Sequence, residues 1–293
     1  MEYLMTYGWA ILVIAVVLGV LYSLGVFNPS NFAPKAQPGS CQVFRPNGPG
    51  TNYDLNLEGT CNGELPQYVG SFQNPQVTCT STGQYIKDTS PTPSRMDSFT
   101  LAFWAYPSQG PNAGTILHLD SSGYEACGGS NGDYFTMNPD ALNLRLFYSG
   151  GSYCAAIPIS LKSLSFFAVI VNGTSDQYAV YENGATIQPS TAIGGNPSLG
   201  TITDINIGDF EPNCGDTYKG YLADVQVYNA SLSANDIRFL YMGGVGDAPA
   251  TLQNLVAWYP LNGNANDYSG NNNNAVSSNV MYTGSWTGLY SAP

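Results

Sequence analysis

Hydrophobic and polar positions fall into two regimes along the chain. The run LMTYGWAILVIAVVLGVLYSLGVF, residues 4–27, is apolar on every helical face, and no charged side chain lies between Glu2 and Lys35. At about 1.5 Å per residue such a helix is roughly 36 Å long, enough to cross the ~30 Å hydrocarbon layer of a bilayer. Asn28-Pro29-Ser30-Asn31-Phe32-Ala33-Pro34 then stops it, because each proline lacks an amide donor and restricts the residue before it. Residues 1–28 therefore read as an apolar helix and 29–40 as a short, stiff linker.

From Cys41 to the end the period changes to two. SFTLAFWAY (98–106), TILHLD (115–120), ALNLRLFYS (141–149), SFFAVIVN (165–172), QYAVYENG (177–184), TDINIGDF (203–210) and YLADVQVYN (221–229) alternate apolar with polar positions between Gly, Pro, Asn and Asp clusters. Short connections between such runs predict an antiparallel sandwich. Asn183-Gly184 predicts a tight hairpin, since both residues accept positive φ. One short helix is expected, with Ser233-Ala234-Asn235-Asp236 as cap, Ile237 to Met242 as body and Gly243-Gly244 as stop. The predicted fold class is thus a long N-terminal α-helix followed by an all-β antiparallel sandwich over residues 41–293.

Charge narrows the function. Eight Lys and Arg against 20 Asp and Glu give 8 − 20 = −12, so no cationic face exists to neutralise phosphates, and nucleic acid is excluded as a partner. Only 10 % of residues are charged, while 33 Gly, 19 Pro and 21 Tyr mark a turn-rich, exported β protein. A single histidine, His118, leaves little for His-dependent metal or acid–base chemistry; on the strand TILHLD it reads as a packed residue.

The segment MEYLMTYGWAILVIAVVLGVLYSLGVF resembles the N-terminal helix of archaeal type IV pilin-like proteins. That resemblance implies a leader removed by a pilin-type peptidase, insertion in the membrane before assembly, and then self-association into a helical homopolymer built by an assembly machinery at the cell surface. It also implies a role for Glu2, whose carboxylate would meet a neighbouring subunit's N-terminal amine and set register; the alternative is an end residue favoured by the helix dipole. Tyr3, Tyr7, Trp9 and Tyr22 read as packing or interfacial aromatics, and Gly8, Gly19 and Gly25 as points of close helix approach outside a G-x-x-x-G spacing. A permanent membrane anchor is the competing fate of the helix.

The body resembles the laminin G-like, or concanavalin A-like, jelly roll. The strings SFTLAFWAYP, YAVYENGATI, INIGDF and above all YLADVQVYNASLSANDIRFLY carry the resemblance over residues 60–245. LVAWYPLNGNANDYSG (255–270) resembles the strand and loop that open such a domain, yet here it follows the closing helix. Residues 255–293 are too few for a second domain, so they are expected to complete a permuted sandwich, a truncated repeat being the other possibility.

Candidate chemistry is sparse. Cys41, Cys61, Cys79, Cys127, Cys154 and Cys214 lack C-x-x-C spacing and read as structural disulfides of an oxidising exterior. Three precede residue 80 and three follow residue 126, so full pairing needs a bridge between the halves, which argues for one body. Asn172-Gly173-Thr174 and Asn229-Ala230-Ser231 are glycosylation sequons, though an Asn-rich chain produces such triplets by chance. Asn264, Asn266 and Asp267, with Asp224, offer oxygens to calcium, or else form Asx turns that satisfy their own backbone; no cofactor is required. No paired-carboxylate strand, G-x-S-x-G or H-E-x-x-H occurs, and Asp204, Asp209, Glu211 and Asp216 have the wrong spacing for a glycosidase, so no catalytic residue is expected. The sequence predicts an extracellular, glycosylated pilus-like filament subunit whose head mediates adhesion, an archaellum-type filament being a variant. The alternative is a membrane-anchored carbohydrate-binding adhesin that stacks surface glycans on Tyr124, Tyr134, Tyr148, Tyr153 and Tyr218.

Overall fold

The structure is a computed structural model that describes residues 13–19, 42–44, 53–55, 66–73, 83–108, 114–121, 134–140, 143–148, 153–158, 163–193, 198–209 and 218–290. Two antiparallel sheets face each other. The first is centred on β6 (Phe99–Pro107) and β15 (Gly220–Tyr228); β11 (Ser165–Asn172), β12 (Gln177–Glu182) and β13 (Ala185–Ala192) extend it on one side. On the other side lie β3 (Val69–Phe72), β16 (Leu255–Tyr259) and β18 (Met281–Thr283). The second sheet runs β10 (Tyr153–Pro158), β9 (Asn143–Tyr148), β8 (Tyr134–Asp140), β7 (Leu117–Ser121), β14 (Gly200–Ile207), β4 (Tyr85–Asp88) and β17 (Val276–Ser278), with β5 (Arg95–Met96) beside β14. A separate pair joins β1 (Gln42–Phe44) to β2 (Tyr53–Leu55).

Alternation explains the layers. Phe99, Leu101, Phe103 and Ala105 of β6 enter the core between the sheets with Phe167, Val169 and Val171 of β11 and Ile86, Leu117, Leu119, Ile205 and Ile207 of the second sheet. The intervening Ala102 and Trp104 point outward and are nevertheless buried, in a second apolar cluster with Phe166, Ile237, Leu240 and Trp286. A sheet apolar on both faces must be covered on both, and here the outer cover is a short helix together with the 286–290 stretch. Residues 13–19 form an exposed helix, α1, whereas the covering helix, α2 (Ala234–Gly243), lays Ile237 and Leu240 on the first sheet's outer face. Its start is the expected one: Ser233 Oγ accepts from Asp236 N, and Asp236 Oδ2 accepts from Ser233 N. The Asn183-Gly184 turn joins β12 to β13 with φ of 51° and 72°. Gly184 is required for a second reason, since a Cβ there would stand 2.7 Å from the Tyr241 ring of α2.

The C-terminal segment binds both sheets. β3 pairs with the start of β15 (Leu222 opposite Gly70), and β16 pairs along the same edge with its end (Val225 opposite Tyr259). Between them β15 bulges at Asp224, whose φ is 50°. Beyond β16 the chain reaches the second sheet, where β17 pairs with β4, and returns to the first, where β18 pairs with β3. Trp286 is fully buried, and Leu164 N donates to Leu289 O at 2.8 Å. β16 thus lies in the first sheet, beside β15.

The expected long N-terminal helix is not shown: α1 covers residues 13–19, and the rest of 1–28 lies outside the described residues. α1 carries Val13, Ile14, Val16, Val17 and Leu18 at half exposure, and nothing lies within 4 Å of a Cβ placed on Gly19. Among the described residues no helix is long and apolar enough to cross a membrane. Glu2, Tyr3, Tyr7, Gly8, Trp9, Tyr22, Gly25 and the linker lie outside the described residues, as do Cys41, Cys61, Cys79, Cys127 and Cys214. Cys154 is placed by its backbone alone, opposite Phe147.

Candidate functional site

The second sheet turns a polar face away from the core. On β7, Leu117 and Leu119 are core residues, so His118 and Asp120 take the other face; on β14, Ile205 and Ile207 send Asp204 and Asn206 there; on β4, Ile86 does the same for Lys87. Register assembles them: Asn206 lies between Lys87 and His118, and Asp204 lies opposite Asp120. His118 and Asn206 are buried and form a floor, while Lys87, Asp204 and Asp120 stand around it at intermediate exposure. Lys87 Nζ is 3.3 Å from Asp204 Oδ1. Thr203, in an irregularity of β14, donates its hydroxyl to Asp204 Oδ2 at 3.1 Å. The backbone continues the row into β8, with Tyr134 opposite Asp120 and Thr136 opposite His118.

Burial, with the Lys87 charge adding to it, pushes the His118 pKa down to about 3, so the floor is neutral at neutral pH. An ammonium, two carboxylates and a hydroxyl then stand side by side on a rigid strand surface, above the buried Asn206 carboxamide. That mixture suits a neutral polyhydroxyl ligand, whose every hydroxyl both donates and accepts. Sequence reasoning missed Lys87, Asp120, Asn206 and Thr203 as a group. Their signal was the polar half of the alternation in TILHLD and TDINIG, which becomes one surface only once β7 and β14 are paired.

The residues nominated for calcium are held by protein donors. Asp224 Oδ1 accepts from the indole Nε1 of Trp258, both its oxygens accept from Gln226 Nε2 at 3.1 Å, and Tyr228 donates to Gln226 Oε1 at 2.7 Å. Burial, and then the Asp224 charge, hold the Tyr228 hydroxyl well above its ordinary range. Asp267 Oδ1 accepts from Trp258 N (2.9 Å) and Ser269 N (2.8 Å), and Oδ2 from Ser269 Oγ (2.7 Å) and Asn273 N (2.9 Å). Asn264 Oδ1 accepts from Asn266 N at 2.9 Å, an Asx turn. Trp258 therefore links Asp224 to Asp267, and these letters serve the closure of β16. Among the described residues no group of three or more His, Cys, Asp or Glu side chains is placed to hold a metal.

The tyrosine expectation needs correction. Tyr218 is fully buried against Phe72, its ring centroid 5.9 Å away, and belongs to the core between the sheets rather than to a sugar-stacking loop. Tyr148 and Tyr153 pair with each other across β9 and β10, and Tyr124 lies outside the described residues. Of the acidic stretch, Asp204 joins the polar face, Asp209 is buried, and Glu211 and Asp216 lie outside the described residues.

Two facing antiparallel sheets, one with a polar outward face, define a lectin-like β-sandwich. The profile described as the concanavalin A-like lectin/glucanases superfamily matches residues 80–238, more than half of the chain. The chain belongs to that superfamily, and β16 to β18 lie beyond the matched stretch. A putative carbohydrate-binding protein from Bacteroides ovatus is similar in structure, with a TM-score of 0.54 and 15 % identity over 80 % of this chain; the match spans 66 % of that protein's length. A heptameric SAP-like pentraxin from Limulus polyphemus matches with a TM-score of 0.52 and 17 % identity over 74 % of this chain and 94 % of its own. At such identities the likeness is one of fold. No curated protein matches the chain.

Proposed function

We propose that the protein is a surface-displayed, non-catalytic carbohydrate-binding domain, whose ligand lies on the Lys87, Asp204, Asp120 and Asn206 face of the second sheet. The carrying observation is that face itself: polar groups of both hydrogen-bonding senses, registered across three strands of a sandwich in a lectin-containing superfamily. The similarity to a putative carbohydrate-binding protein supports the same reading. A binding role without hydrolysis fits the absence of a paired-carboxylate strand in the sequence.

A glycan array probed with the full-length protein, followed by calorimetry on the best ligand, tests the proposal. Neutral oligosaccharides are expected to bind and to release no new reducing ends. Lys87→Ala and Asp204→Ala are each expected to weaken binding by about 10- to 100-fold, the worth of a charged hydrogen bond of ~1.5–3 kcal/mol. Their melting temperatures should barely move, because a partly exposed ion pair adds little stability. Unchanged affinity in both variants would refute the assignment.

A second reading concerns display. The charge-free run at residues 4–27, and the half-exposed apolar side chains of α1, favour packing of this segment against copies of itself as the core of a pilus-like filament. In that reading the helix builds the polymer, the sandwich decorates its outside, and the six cysteines form structural bridges in an extracellular setting.

A further inference from the structure

Both sequons lie at one end of the first sheet, at the ends of β11 and β15, the two strands that flank β6. Ser231 Oγ donates to Val171 O at 2.9 Å, the carbonyl just before Asn172, and Thr100 of β6 donates to Ala230 O at 2.8 Å. Their chemical situations differ. At the Asn172 triplet the hairpin turns outward from β11: Asn172 Oδ1 accepts from Thr174 N at 3.0 Å and Ser175 N at 3.1 Å. Among the described residues neither its Nδ2 nor the hydroxyl of the exposed Thr174 makes a hydrogen bond. The middle residue has to be glycine, because a Cβ there would lie 1.9 Å from Asp97 O, and Gly173 N donates to Ser98 Oγ at 2.9 Å. The triplet is therefore presented on a fixed turn.

At the Asn229 triplet the backbone and the serine hydroxyl are tied inward. Asn229 N donates to Asn254 O at 2.9 Å and its Oδ1 is buried. Ala230 O is held by Thr100, Leu232 N donates to Thr100 Oγ1 at 2.9 Å, and the Ser231 hydroxyl is spent on Val171 O. An enzyme that must grip both the carboxamide and the hydroxyl of a sequon meets a carboxamide oxygen buried from solvent and a hydroxyl already spent.

We infer that Asn172 is the N-glycan acceptor of the folded protein and that folding silences Asn229, with a polyprenyl-phosphate-linked oligosaccharide as donor. In the transfer, Asn172 Nδ2 forms a bond to the anomeric carbon and the bond from that carbon to the phosphate oxygen breaks. The electron pair leaves with the polyprenyl phosphate, and the amide gives up one proton to solvent. This inference is independent of where the sandwich binds sugar.

The test uses an oligosaccharyltransferase chosen because it modifies both sequons as short synthetic peptides. Full-length, unglycosylated protein is incubated with that enzyme and the lipid-linked oligosaccharide, and occupancy is read by glycopeptide mass spectrometry. Occupancy at Asn172 is expected to exceed that at Asn229 by at least ~10-fold, the contrast of a closed local structure with an open one. Thr174→Ala should abolish the Asn172 signal with the melting temperature unchanged. Partial urea should raise Asn229 occupancy. Equal modification of the two sites in folded protein, or an unmodified Asn172, overturns the inference.

Discussion

His118 shows how one side chain couples to the whole fold. It is fully buried on β7, and its folded pKa near 3 lies below the 6.5 of a free imidazole. Between those values the unfolded chain binds a proton that the folded chain refuses, so stability is complete above pH 6.5 and drains away as the pH falls toward 3. At pH 4.5 this amounts to about 2–3 kcal/mol. Asp88 works in the opposite sense: burial raises its pKa above 3.8, so it favours the fold at the acid end and loses that contribution as the pH rises through its folded value. Urea denaturation at pH 4.5 and pH 7 is expected to show a difference that shrinks by about 2 kcal/mol in His118→Gln, since the amide cannot take up the proton. Parallel pH curves for the two proteins would contradict this account. The residue was legible as packed on a strand. Its neighbours Asn206 and Lys87 were not, because register joins positions over 80 residues apart, and no local pattern encodes that pairing.

At the scale of elements, the informative site is the bulge in β15. Leu222, Val225 and Val227 all face the core, a spacing of three and then two that a regular strand cannot satisfy. Asp224 absorbs the extra residue at positive φ and turns its carboxylate toward Trp258 of β16. Asp224→Ala loses the acceptor of two donors and keeps a strained φ, and is expected to cost about 3–5 kcal/mol in chemical denaturation. Asp224→Asn, which tolerates that φ and retains one acceptor, is expected to cost clearly less. Equal losses would show that the bulge, not the carboxylate, holds β16. Elements with a strong local signal were readable: 165–172 became β11 without change, Asn183-Gly184 made its turn, and Ser233 capped α2. β4, β5, β17 and β18 were not, being two to four residues long and defined only by distant partners. β8 and β13 hid behind Pro139 and Pro189, which lower strand propensity; β13 lies at a sheet edge, where a missing amide is tolerated.

For the whole molecule, display through the N-terminal segment has a direct measurement. If the N-terminal segment assembles with copies of itself, electron microscopy of surface material should show helical fibres built from a 31.2 kDa chain plus any glycans. Ile14→Asp within α1 should leave the head folded and remove the fibres, since an unpaired charge costs several kcal/mol in an apolar bundle. Fibres that persist in this variant would point to assembly through the sandwich instead. The C-terminal segment carries a separate consequence. β16, β17 and β18 add to β15, β4 and β3, strands synthesised long before, and the 286–290 stretch seals Trp104 beneath Trp286 and Tyr290. No shorter stretch of the nascent polypeptide contains a finished sandwich, so a ribosome must deliver the chain through residue 290 before the domain can shut. Incomplete products are left with bare strand edges and uncovered indoles, the features by which quality-control proteases and chaperones recognise unfinished work.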